Sequence, residues 1–250
     1  MKKIILDDRR QYLPNLFMFL MSLVVLEVAI VGGIIAKNSS LVSTVIILFA
    51  VIMVLMAIIM IAMAGKVWMG DLRNTGIWKV RRKEGLSLET IIGVKTALYS
   101  LLVFLSEAIY ALVMALNVSL VYKAFPAERE GLDELFTKVF GEGASLSGKN
   151  AFVILEFLMV AVAAVTLVFL TVTLVFNGFT RNRYAGVLAG VLYVSVGYFL
   201  IRISLSLTKG VKDDGMRSLA GAGVLAVLAV ICFLSVRMSV KKHQWDVEEV

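Results

Sequence analysis

Long apolar stretches divided by short polar ones dominate this chain. Six of them, Leu16–Ala36, Leu41–Ala64, Thr96–Tyr122, Ala151–Asn177, Tyr184–Leu207 and Ser218–Val236, are each long enough to cross a bilayer. Crossing a hydrocarbon core takes about 17–25 mostly apolar residues in a helix, and soluble helices rarely run so far without interruption. The pattern predicts an all-α membrane protein with six transmembrane helices. The polar remainder is five connecting stretches and two tails, each too short for a separate soluble domain of about 50–250 residues. We therefore expect a single transmembrane domain over residues 1–250.

Composition agrees with this reading: 60% of residues are hydrophobic and the mean hydropathy is +0.92. The net charge of +7 would suit nucleic acid, but its distribution argues against that partner. Of the 25 Lys and Arg, 16 fall in Met1–Asn15, Gly65–Lys95, Gly178–Arg183 and Arg237–Val250. Six crossings place these four segments on one side, which the positive-inside rule makes cytoplasmic, with both termini there. The basic excess then reads as topology and attraction to lipid headgroups. The first run is too long for a signal-peptide core and is read as a retained span.

Residues 1–14 mix Lys2, Lys3, Arg9 and Arg10 with Ile4, Ile5, Leu6, Tyr12 and Leu13. Two readings fit: a short amphipathic helix in the headgroup layer, parted from the first span by Pro14, or a frayed basic tail. Lys37-Asn38-Ser39-Ser40 predicts a tight turn joining spans one and two as a hairpin. Span two carries Met53, Met56, Met60 and Met63 on one helical face. Flexible, polarizable methionines suit the wall of a translocation path, and equally suit packing or lipid contact. Residues 122–150 form the sizeable extracytoplasmic loop, where Leu132, Leu135, Phe136, Val139 and Phe140 predict a short amphipathic helix. Gly186 and Gly190 make a GxxxG pattern in span five with Gly197 nearly in line, a candidate helix interface, and the SLAGAG start of span six reads the same way.

Enzyme signatures are absent from the sequence. The single histidine, His243, precludes an HExxH zinc site, and the single cysteine, Cys232, precludes an intrachain disulfide or a cysteine-cluster metal site. No GxSxG or GxGxxG occurs. Gly143–Asn150 nearly spells a phosphate-binding loop but has Asn at the magnesium position and no preceding strand. No catalytic residue, metal site or cofactor is expected on this chain.

Four ionisable residues lie within the spans. Glu27 and Glu107 are near mid-depth, while Glu156 and Arg202 both fall in the outer half, a candidate buried ion pair. Intramembrane charges face protein or water and mark either pairing or function. Glu27 and Glu107 are thus hydrogen-bonded structural groups or part of a polar path for cationic or amphipathic cargo.

The stretch between spans two and three, residues 65–95, is far longer than a connection needs. It holds Asp71, a helix-like piece with Ile77, Trp78 and Val80, the basic run Lys79-Arg81-Arg82-Lys83, and Leu86-Ser87 before span three. An exposed aromatic beside basic residues on a short helix is what docking requires, the aromatic anchoring and the charges orienting. A loop lying on anionic lipid is the other reading.

In this loop the chain resembles the ABC type-2 permease family, the six-helix membrane subunits of ATP-driven exporters. The resemblance rests on Asp71, Gly76, Leu86-Ser87 and Lys95, with Leu86 where the family shows Pro, and on the basic N-terminal segment and six-span pattern. It implies a cytoplasmic coupling helix in which Asp71, Arg73, Gly76, Ile77, Trp78, Lys79, Arg81 and Arg82 dock on a separate ABC ATPase subunit. ATP and Mg would sit on that partner. It implies a homo- or heterodimer of permease subunits whose spans two and five line the path, giving Met53, Met56, Met60, Met63, Tyr193 and Tyr198 a role there. The expected function is export of an amphipathic cargo, such as a toxin or antimicrobial peptide, or else a lipid or drug, across the cell membrane of a bacterium. An ATP-independent ion- or proton-coupled transporter or channel, and a non-transporting membrane scaffold, are the alternatives.

Overall fold

The computed structural model describes residues 2–126, 130, 134, 151–181 and 214–242. These hold six helices: α1 (Lys2–Ile35), α2 (Ser39–Arg73), α3 (Thr75–Lys83), α4 (Leu88–Ala124), α5 (Ala151–Arg181) and α6 (Asp214–Val240), and no strand is present among the described residues. Five segments are long and apolar enough to span a membrane: Tyr12–Ile35, Ser39–Arg73, Leu88–Ala124, Ile154–Asn177 and Met216–Val240. This is the fold of a multi-pass helical membrane protein. The run Tyr184–Leu207 and the amphipathic segment expected in residues 122–150 lie outside the described residues, apart from the beginning of the latter.

The chain divides into two compact units. One comprises Tyr12–Ile59 and Leu105–Lys149; the other comprises Met1–Gln11, Met60–Phe104 and Asn150–Val250. In the first, α1 and α2 form the expected hairpin. Lys37 takes the positive φ of 50° that closes the turn, and the Asn38 side chain accepts a hydrogen bond from the Leu41 amide, capping α2. Phe19, Leu23, Leu26 and Ile30 form one buried seam at helical spacing, and Val42, Ile46 and Phe49 form another. Tyr110 of α4 meets Phe19 and Phe49 edge-on, with ring centres 5.1 and 5.3 Å away. Its hydroxyl lies 2.5 Å from that of Ser22. The opposite faces are apolar too: Phe17 is 65% and Val28 68% exposed. Apolar residues both inside and outside are what hydrocarbon solvation demands, because water would tolerate so large a patch poorly.

The second unit contains the α5–α6 pair. Ala161, Ala163, Val165 and Phe169 on α5 and Ala222, Leu225, Ala229 and Cys232 on α6 are buried there. Glu156 packs against Gly221 near the start of both helices, and Asn177 donates to Ser239 over 2.8 Å near the end of both, so the two helices run parallel. A Cβ on Gly221 would lie 2.6 Å from the Glu156 carboxylate. Of the two glycines in SLAGAG, Gly221 leaves room for the Glu156 side chain, and Gly223 has open space beside it.

Two helix boundaries differ from expectation or refine it. Pro14 does not part an N-terminal helix from the first span, because α1 runs through it unbroken. A proline inside a helix forfeits one hydrogen bond and costs about 3 kcal/mol, which long-range ties can offset; one such tie, at Asp8, is described below. The loop after span two does contain the expected short helix, α3. It ends in a Schellman motif: Leu86 N–H donates to Arg81 C=O, Gly85 N–H donates to Arg82 C=O, and Gly85 sits at φ 73°. Gly85→Ala should destabilise the protein by about 1 kcal/mol through left-handed strain, and a melting curve in detergent reads the loss.

Candidate functional site

The chemistry of the chain concentrates where α2, α3 and α4 meet the start of α1. Asn74 interrupts the helical run: α2 ends at Arg73, and the Asn74 amide folds back on the Gly70 and Asp71 carbonyls. The Asp71 carbonyl at this helix end, which already takes the Asn74 amide, accepts a second hydrogen bond from the Trp78 indole N–H over 2.9 Å. After α3, Ser87 caps α4, its hydroxyl accepting from the Thr90 amide over 3.1 Å. This cap fixes the phase of α4 so that Ile91, Lys95 and Tyr99, one turn apart, all point inward.

Lys95 is the centre of a buried chain of charges. Its ammonium lies 2.8 and 2.7 Å from the two carboxylate oxygens of Asp8 and 2.9 Å from Oδ2 of Asp71. Arg81 Nη1 donates to that same Asp71 oxygen over 3.0 Å, and the Tyr99 hydroxyl donates to Asp8 over 3.2 Å. Two acids and two bases make the group electrically neutral. Lys95 has no solvent exposure, and Asp8, Asp71 and Arg81 are buried as well. Removing four charges from water costs several kcal/mol per ion, which only mutual pairing at these distances makes tolerable.

Burial raises the Asp8 carboxyl above its ordinary 3.8, outweighing the opposing pull of Lys95, and the nearby Asp71 charge adds to the rise. A carboxyl whose folded pKa is raised loses stability as pH rises from its unfolded value through its folded one. We expect that pH-dependent slope, beginning near 3.8, to be missing from melting curves of Asp8→Asn.

An aromatic group adjoins the cluster. Trp68 stacks on Phe169 at 4.8 Å and 18°, meets Trp78 edge-on at 5.9 Å, and donates to Thr173 over 2.8 Å. Tyr99 also meets Phe169 edge-on. The start of α1, the end of α2, α3, the start of α4 and α5 are thereby fastened to one another.

The expected docking residues separate into two sets. Asp71, Trp78 and Arg81 are buried in the protein's own interior, so the exposed aromatic anchor is corrected. Trp78 faces inward because its indole completes the end of α2. Arg73, Lys79, Val80 and Lys83 are exposed, with Ile77 and Arg82 partly so. Gly76 lies in the first turn of α3.

The candidate path residues are distributed differently. Met56, Met60 and Met63 are buried and Met53 is half-buried, so the methionine stripe faces protein rather than lipid. Glu27 accepts a hydrogen bond from Asn117 over 2.6 Å, while Glu107 keeps a buried carboxylate oxygen without one. Tyr193, Tyr198, Gly186, Gly190, Gly197 and Arg202, hence the expected Glu156–Arg202 pair, lie outside the described residues. Among the described residues no group of three or more His, Cys, Asp or Glu is placed to hold a metal ion.

Sequence reasoning missed Asp8, Tyr99, Trp68 and Thr173 as members of this site. The signal for Asp8 was the acidic pair Asp7-Asp8 inside an otherwise basic N-terminal segment. Comparison of the chain with family models, with curated proteins and with solved structures finds no match.

Proposed function

We propose that this chain is the membrane-spanning permease subunit of an ATP-driven exporter, working as a dimer and docking through α3 on separate ATPase subunits. The cargo is amphipathic, such as a peptide, and the chain itself carries no ATPase site. The observation that supports this reading most is the two-sidedness of α3. Its inner face, through Trp78 and Arg81, is bound to the end of α2 and to the charge chain reaching α4 and the start of α1. Its outer face presents Lys79, Val80 and Lys83. A helix so fastened would pass a push from an ATPase directly to the ends of the helices behind it.

The experiment reconstitutes the full chain with a phosphate-loop ATPase encoded beside it. Charge reversal of the exposed pair, Lys79→Glu with Lys83→Glu, should cut cargo-stimulated ATP hydrolysis and transport at least tenfold, on the order of the 1.4 kcal/mol that separates each decade. The melting temperature should stay near wild type. Transport that continues unchanged in this double variant removes α3 from the mechanism.

The intramembrane carboxylates favour a second reading, an ion- or proton-coupled transporter. Glu107 has a buried oxygen with no hydrogen-bond partner and Glu27 is held by Asn117. Cargo movement driven by an imposed proton gradient without any ATPase would select it.

A further inference from the structure

Arg81 spends one of its three nitrogens on Asp71. The other two, Nε and Nη2, are buried and have no hydrogen-bond partner. These two lie on one edge of the planar guanidinium, where their N–H bonds run parallel and match two oxygens of a single oxyanion. Leaving such donors unmatched in the interior costs about 1–3 kcal/mol, more when the group is charged. Arg81 is 3% exposed, so bulk water does not relieve that cost.

We propose that the free edge of Arg81 is a binding site for one phosphate group, carried by an anionic phospholipid headgroup or by free phosphate. The charge balance permits it: Asp8, Asp71, Lys95 and Arg81 sum to zero, so an arriving anion meets no net negative charge. Lys79 and Lys83, exposed on the same short helix, supply an attractive field. Depth also suits a headgroup. Lys95 immediately precedes the apolar run beginning at Thr96, and Asp8 stands shortly before the span beginning at Tyr12. The cluster therefore lies at the level where hydrocarbon gives way to phosphate. Entry requires α3 to lift slightly between the residues that bound it, Asn74 and Glu84.

The test uses the full chain purified in dodecyl maltoside, with no ATPase present. Melting is followed against inorganic phosphate, with chloride at equal ionic strength as control, and against soluble short-chain phosphatidylglycerol. Arg81→Lys keeps a charge for Asp71 but loses the two-donor edge. Lys37→Gln loses a surface charge outside α3 and keeps the edge. The wild type and Lys37→Gln should be stabilised at similar ligand concentrations, and Arg81→Lys should need about tenfold more, the loss of roughly one charge-assisted hydrogen bond. A response to phosphatidylglycerol alone identifies lipid as the source, and a response to phosphate identifies the free ion; either supports the site. If Arg81→Lys does not accumulate, hydrogen exchange of the wild type decides: new protection confined to residues 74–88 on adding either probe supports the site. The proposal is overturned by no response of the wild type, by equal responses of wild type and Arg81→Lys, by protection elsewhere, or by stabilisation with a glutamate-rich peptide alone.

Discussion

Lys95→Met should lower stability by about 3–5 kcal/mol, the cost of breaking a buried ion pair on one side. Two carboxylates, Asp8 and Asp71, take hydrogen-bonding contacts from this one ammonium, and only Asp71 retains another basic partner, Arg81. Asp8 would keep the Tyr99 hydroxyl alone. Methionine is close to lysine in length and apolar, so the loss arises from stranded charge rather than from a cavity. Adding Asp8→Asn to Lys95→Met should recover part of the loss, since a neutral amide is far cheaper to bury than an unpaired carboxylate. Melting of the single and double variants in one detergent checks both statements. A double variant no more stable than Lys95→Met would mean that Asp8 is not charged in the fold.

Trp68→Ala should cost a similar amount, about 3–5 kcal/mol, by a different route. The indole is completely buried, stacks on Phe169, touches Trp78 edge-on and donates to Thr173. Alanine leaves a cavity between α2 and α5 and withdraws support from Trp78, the residue that seats α3. Trp68→Phe keeps most of the ring contact and loses the hydrogen bond, so its cost should be nearer 1 kcal/mol. The two variants together separate packing from hydrogen bonding. Equal melting temperatures for them would show that the Thr173 bond, rather than the ring volume, holds this junction.

The helices were readable from the sequence because a bilayer imposes a coarse and unforgiving rule on length and polarity. Leu41–Ala64 lies within α2, Thr96–Tyr122 within α4 and Ser218–Val236 within α6. The short helix between α2 and α4 was readable too, since Gly85 and Ser87 are ordinary stop and start signals. Its orientation was harder. Trp78 and Arg81 lie three residues apart and therefore share a face, but nothing local tells which face of a nine-residue helix turns inward. Their basic and aromatic character pointed outward, whereas the need to complete the end of α2 and balance Asp71 turned them in. The methionines were placed correctly on one face of α2, and their burial came from neighbours that periodicity does not reveal. Asp8 escaped notice because its partner lies 87 positions away. Pro14 misled for the opposite reason, since a strong local rule was overridden by that same distant contact.

The order of the cluster members along the chain has a consequence for biogenesis. Synthesis delivers Asp8 and Asp71 first, then Arg81, and Lys95 last, after two apolar runs have already entered the membrane. Until the ribosome has made the start of α4, the cluster sets two acids against Arg81 alone, and Asp8 has neither Lys95 nor Tyr99 to hold it. The N-terminal segment thus cannot take its final seat while only the first hairpin exists. Lys95 is the residue whose arrival ties the start of α1 to α4, so a chain truncated before it is left with an Asp8 that lacks its ammonium partner.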